Sequence, residues 1–197
     1  MTLKRITVFC GSAPGTNPAY MQAADQLGKV LARRSLVLVY GGGNVGMMGQ
    51  IAKSMEAAGG EVIGVIPRGL VQREVALTSL ADLRVVENMH ERKALMADLA
   101  DGFIALPGGF GTLDEFFEVL TLVQTQRIPR IPLILFGSDY WNGLLKWVRG
   151  TVEKRNYISP GDLDLVNLVD DPAEAVRIIL DYMQRVGPPE STPRTLG

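Results

Sequence analysis

Short apolar runs recur along this chain, each closed by a glycine or proline turn and followed by a helical pattern. Residues 6–10, 36–40, 61–66, 82–86, 102–106 and 132–136 read as strands, and 163–168 as a segment at a sheet edge. Helical periodicity covers 17–34, 47–58, 89–99, 113–126, 140–154 and 172–185. Asn17 with Pro18, Asn88, and either Asp170 or Asp171 stand where N-caps belong. This alternation points to one architecture. It is an α/β, Rossmann-like, doubly wound parallel sheet with helices on both faces and ligands outside the carboxyl ends of the strands. Residues 1–185 are expected to form a single domain of that kind, and the polar, proline-rich residues 186–197 a disordered tail.

The most informative strand end is Ala105-Leu106-Pro107-Gly108-Gly109-Phe110-Gly111-Thr112-Leu113-Asp114-Glu115. A strand delivered through glycines into a helix N-terminus presents unpaired N–H groups and the positive end of a helix dipole. Gly108, Gly109 and Gly111 let the main chain approach an anion closely, with positive φ where needed. A phosphate site is the expectation. Thr112 and Glu115 have the spacing of a capping box, which would satisfy two backbone donors and do no chemistry. The same spacing also suits a catalytic carboxylate, and the pattern alone does not separate the two. Arg92 continues the apolar stripe of Met96 and Leu99, so it should either point toward the sheet and meet an anionic partner or snorkel outward. Lys93, turned ~100° along the helix, could meet a phosphate or ribose at the helix start.

A rival motif lies earlier. Residues 41–46 contain a literal G-x-G-x-x-G between a strand and a helix, as in dinucleotide-binding folds. The acidic residue that should close the next strand is missing, because that strand ends Val65-Ile66-Pro67-Arg68 and Glu61 stands at its wrong end. Close helix–sheet packing would account for the same glycines. Residues 67–80, carrying Arg68, Arg73 and Glu74, form a loop of the length used for lids and binding loops. Cys10, inside a strand, should be buried rather than nucleophilic. His90 is the only histidine, and no metal constellation accompanies it, so no metal is expected.

Composition narrows the partners. A formal net charge of −1 offers no surface to a polyanion, so no nucleic-acid partner is expected. One cysteine excludes an intrachain disulfide and suits a reducing compartment. No apolar run approaches the ~20 residues of a membrane span. Residues 1–5 lead straight into the first strand, leaving no room for a signal peptide. A cytoplasmic protein without membrane contact is expected.

Residues 107–115 resemble the PGGxGTxxE signature of the Lonely Guy family, phosphoribohydrolases that release cytokinin bases from their nucleoside 5′-monophosphates. Residues 40–49 are similar to that family's YGGGxxGLMG, Met89-His90-Glu91-Arg92-Lys93 to its MHxRK, and Cys10-Gly11-Ser12 to its first strand end. The motifs span most of the chain in the family's order. The resemblance implies cleavage of the N-glycosidic bond of AMP, of cytokinin riboside 5′-monophosphates, or of both, giving free base and ribose 5-phosphate without a cofactor. Alternatives on the same fold are a non-enzymatic nucleotide sensor and a dinucleotide-binding protein. The resemblance makes Arg92 and Glu115 catalytic. It extends substrate contacts to Gly11, Ser12, Gly43, Glu74, Met89, Lys93, Gly108, Gly109, Phe110, Gly111, Thr112, Leu113, Asp114 and Thr121. Phe110 replaces a frequent tyrosine and Asp114 a frequent glutamate, which leaves the preferred base open. The family's older lysine decarboxylase label finds no lysine here in a recognisable pyridoxal-phosphate motif.

The helix over 113–126 carries one stripe of Leu113, Phe116, Phe117 and Leu120, with Val119 and Leu122 outside it. A helix apolar on two sides is buried on two sides. That pattern predicts a subunit interface, and the family's homodimers imply the same.

Overall fold

The computed structural model describes residues 4–71 and 80–186. Its elements run β1 (Arg5–Phe9), α1 (Pro18–Arg33), β2 (Val37–Tyr40), α2 (Gly46–Ala57), β3 (Glu61–Pro67), β4 (Asp82–Val86), α3 (Met89–Asp98), β5 (Gly102–Ala105), α4 (Phe110–Gln124), β6 (Leu133–Phe136), α5 (Ser138–Trp147), β7 (Val166–Val169) and α6 (Pro172–Val186). The strands form one parallel sheet in the order β4-β3-β2-β1-β5-β6-β7. The expected doubly wound α/β architecture is therefore present. Glu74 and the tail over 187–197 lie outside the described residues.

Side-chain alternation along each strand divides the core into two layers. Ile6, Val8, Leu38, Tyr40 and Ile104 pack with α1, α2 and α6 on one face. Phe9, Val37, Val39, Phe103 and Ala105 pack with α3, α4 and α5 on the other. Chain order runs outward from β1 to β4 and then returns to β5 on the far side of β1, so the two directions part between β1 and β5. Ligands of open α/β sheets bind at such a reversal.

The caps expected at Asn17 and Asn88 are present, each side chain accepting from an N–H two or three residues on. The Asp170–Asp171 pair is resolved by two separate jobs. Asp171 accepts from Ala173 N in α6, whereas Asp170 accepts from Ser138 N at the start of α5.

Two expectations about α4 need correction. The helix begins at Phe110 rather than 113, with Gly109 as an N-cap that has no side chain to contribute. Thr112 is thus inside the first turn and buried, and Thr112–Glu115 is not a capping box. Val119 is 3% exposed and packed in the core of its own chain. The outward apolar face is Leu113, Phe117 and Leu120 instead, because tertiary packing rather than the count of apolar residues decides which stripe turns inward.

Helices α1 and α2 are held by a polar lock beside a close approach. A Cβ on Gly28 would stand 2.8 Å from the Ile51 carbonyl oxygen, so the helices meet where only glycine fits. Next to it, the Asp25 carboxylate accepts from Lys29 Nζ at 2.6 Å, Ser54 Oγ at 2.5 Å and Gln50 Nε2 at 3.2 Å. Hydrogen bonds from Lys29 and Ser54 hold the Asp25 carboxyl below its ordinary range. Asp25→Ala should lower stability at neutral pH by about 1–2 kcal/mol, the value of a few partly solvent-screened hydrogen bonds. Since the folded-state pKa lies below the unfolded one, this contribution is complete above the ordinary carboxylate range and is lost as pH falls through the folded value. Urea melts of both proteins at neutral and strongly acidic pH should show the gap closing in acid.

Candidate active site

Three loops converge at the carboxyl ends of β1, β2 and β5. Gly11, following β1, donates its N–H to the Pro107 carbonyl at 3.1 Å, which ties the first loop to the glycine turn across the β1–β5 reversal. A Cβ on Gly108 would stand 2.1 Å from Thr112 Oγ1 and 2.9 Å from Gly11 N. Gly108 is therefore a packing glycine. Gly46 does the same against the Ser12 backbone, at 2.4 Å, and carries a positive φ of 59° that glycine adopts without strain. Gly109 and Gly111 differ: among the described residues, a Cβ on either would meet nothing within 4 Å beyond its chain neighbours and its own helix backbone. None of the three turn glycines has positive φ, so close approach rather than backbone conformation is what they offer.

Arg92 and Glu115 face each other from α3 and α4. Both are nearly buried, at 6% and 7% exposure, and Arg92 Nη2 stands 3.8 Å from Glu115 Oε1. The wheel argument for Arg92 is thus correct in direction. The same nitrogen donates to the Gly41 carbonyl at 3.2 Å, and Nη1 lies 3.7 Å from Met89 Sδ. Among the described residues, the buried Arg92 Nε has no hydrogen-bond partner. An orphaned donor on a guanidinium is costly, and an incoming acceptor would relieve it. A Cβ on Gly41 would stand 1.9 Å from Arg92 Nη2, so the guanidinium occupies space that a side chain would fill.

Cys10 is buried beside this pair. Burial, and then the nearby Glu115, push its thiol above the ordinary range, while Arg92 pulls weakly the other way. It lies one residue past the end of β1 rather than inside the strand, and its buried, protonated thiol is no nucleophile. Lys93 does not turn to the glycine loop. Its ammonium bridges Asp114 Oδ2 at 3.0 Å and Glu118 Oε2 at 2.9 Å, clamping α3 to α4. Burial lowers its pKa, but those two carboxylates outweigh it and the net shift is upward.

The other expected contacts divide by position. Ser12, Gly109, Phe110 and Gly111 are exposed at the mouth of the crevice, Phe110 by 91%. Gly43 is buried in the loop after β2, Met89 is partly exposed, and Leu113 is half-buried with its N–H on the Gly109 carbonyl. Thr121 stands on the outward face of α4, its hydroxyl donating to Phe117 O at 2.7 Å, and is not brought to the Arg92–Glu115 pair. Two residues went unassigned from sequence: Gly41, which seats the guanidinium, and Tyr140, whose hydroxyl reaches the Gly108 carbonyl at 2.5 Å. Neither contact has a local signal, since the partners lie 51 and 32 residues apart.

Among the described residues, no group of three or more His, Cys, Asp or Glu side chains could hold a metal ion, and no helix is long and apolar enough to cross a membrane.

Residues 48–179 match the family model described as "Possible lysine decarboxylase". A cytokinin riboside 5′-monophosphate phosphoribohydrolase of Arabidopsis thaliana is 44% identical over 180 residues, covering 91% of this chain and 82% of that protein. The enzyme of the same name from Rhodococcoides fascians is 42% identical over 179 residues, covering 90% of each. Among solved structures, the molybdenum cofactor binding protein of Rippkaea orientalis superposes with a TM-score of 0.70 at 23% identity, over 93% of this chain and 99% of that one. The last likeness is one of fold alone.

Proposed function

The chain belongs to the Lonely Guy family, and from that premise we propose that it is a phosphoribohydrolase that hydrolyses the N-glycosidic bond of nucleoside 5′-monophosphates. The bond to the base breaks as the ribose takes on oxocarbenium character, the base leaves with the electron pair and takes up a proton, and water adds at C1′ as it gives one up. Such a transition state needs negative charge near C1′ and a water relieved of its proton. Glu115 supplies both. Arg92, with one nitrogen on Gly41 and an Nε that has no partner among the described residues, binds the ribose phosphate and keeps the sugar against the carboxylate. The first-turn N–H groups of α4, with Gly109 and Gly111 open beside them, receive the 5′-phosphate. The chain needs no metal or organic cofactor for this reaction.

The observation that carries this reading is the buried Arg92–Glu115 pair beside an open glycine turn at the sheet's reversal. A nucleotide sensor has use for the turn but none for a carboxylate held in a dry crevice. Incubation with AMP and with isopentenyl-AMP, followed by chromatography of free base, tests it and ranks the two substrates. Tight binding of intact nucleotide without release of base would support the sensor instead.

The proposal includes a cytoplasmic homodimer built on the outward face of α4. Phe117 is 37% exposed there, with Leu113, Leu120 and Thr121 beside it. Thr121 then contacts substrate only across that interface. Light scattering at micromolar concentration should give a dimer, and Phe117→Asp should give a folded monomer. A wild-type monomer would end this part of the reading.

A further inference from the structure

The first helical turn of α4 can orient a phosphate only if the peptide leading into it is itself held. Gly108–Gly109 has no side chain to hold it, and Gly109 makes no side-chain cap. Among the described residues, the Tyr140 hydroxyl, from α5, reaches it and donates to the Gly108 carbonyl. A trans peptide places its C=O and N–H on opposite sides. Fixing the Gly108 carbonyl toward α5 therefore turns the Gly109 N–H away from it, to the other side of the turn.

Tyr140 is well placed for this. Asp170 accepts from Ser138 N at 2.6 Å, and Gly137 N bonds the Val169 carbonyl at 2.9 Å, so the start of α5 is fastened to the end of β7. The Tyr140 ring meets Trp141 edge-on at 4.9 Å and Tyr20 at 6.5 Å. Trp141 is fully buried with its indole N–H on Phe136 O. Tyr20 is in turn tied by its hydroxyl to Asp139. Only the Tyr140 hydroxyl end is committed to the glycine turn, and 39% of the residue stays exposed.

We propose that Tyr140 is a positioning residue of this site, aiming the Gly109 N–H at the substrate's 5′-phosphate by holding the Gly108 carbonyl. The proposal rests on the turn being the phosphate seat, as argued above. It acts on phosphate-bearing ligands alone.

Tyr140→Phe keeps the ring and its packing and removes the one hydrogen bond. Its kcat/KM for AMP should fall about fivefold to tenfold, the worth of one neutral hydrogen bond. The value for adenosine should stay within about twofold, and the melting temperature close to wild type. An unchanged kcat/KM for AMP, or an equal fall for AMP and adenosine, would overturn the proposal. A purely structural role would produce the second of these. Calorimetric titration with ribose 5-phosphate separates this from the proposed activity. If wild type releases no base from AMP, the hydrolase reading fails. Tyr140 is then judged on ribose 5-phosphate affinity, which should drop by the same factor in Tyr140→Phe. Equal affinity, or no binding to the wild type, would overturn the positioning role as well.

Discussion

Glu115→Gln should lower kcat for AMP by ~10²–10⁴ while leaving nucleotide affinity within a few-fold, the usual worth of a positioned acid–base group. The substitution is nearly isosteric and keeps a side chain that can accept a hydrogen bond from Arg92. It removes only the charge and the basicity. Because α4 begins at Phe110, Glu115 stands beyond the first turn, so no helix cap is lost. Because the variant unpairs a buried Arg92, a circular dichroism melt separates a chemical loss of activity from a structural one. Steady-state assays with AMP, together with titration of the variant, make the comparison. Near wild-type turnover by Glu115→Gln would rule out the carboxylate mechanism.

The second large effect concerns the 5′-phosphate, which takes no part in bond breaking. Binding energy at the glycine turn is expected to fix the ribose against Glu115 rather than merely retain the substrate. Two charge-assisted hydrogen bonds contribute roughly 3–6 kcal/mol, and each decade in rate corresponds to about 1.36 kcal/mol. Adenosine should therefore have a kcat/KM about 10²–10⁴ below that of AMP. Gly109→Ala and Gly111→Ala refine the test, since among the described residues neither new methyl meets an atom within 4 Å beyond its own chain neighbours and helix backbone. Both variants should fold normally and lose activity on AMP alone, as the methyl occupies the space that a phosphate needs. Gly108→Ala is the contrasting control. Its methyl collides with Thr112, so it should lower stability and impair both substrates together. Equal turnover of nucleoside and nucleotide by the wild type would mean that the turn is no phosphate seat.

Much of this arrangement was legible in the sequence where a single element carried the information. The strand–helix alternation predicted the parallel sheet, Asn17 and Asn88 marked helix starts, and the wheel placed Arg92 on the inward stripe of α3. Errors arose where a local pattern had two physical meanings. Thr112 at capping-box spacing looked like a helix start because glycine at an N-cap leaves no side-chain signature. Val119 looked outward because periodicity gives the stripes of a helix but not which one meets the sheet. Contacts between elements were out of reach. The Lys93 bridge to Asp114 and Glu118 and the Tyr140 bond to Gly108 depend on how adjacent crossovers pack, which no spacing within one helix encodes.

The seat of Arg92 has a consequence for recognising active relatives from sequence. The guanidinium lies where a methyl at residue 41 would stand, so the cation of this site is placed by an absence fifty-one residues away. A chain of this fold could retain both Arg92 and Glu115 and every glycine of the turn over 108–111, yet carry alanine at residue 41. By motif it would pass as an enzyme, while its guanidinium would have to shift from the place it takes here against residue 41. Glycine at 41 and arginine at 92 are one packing unit written in two places, and the geometry described here needs both.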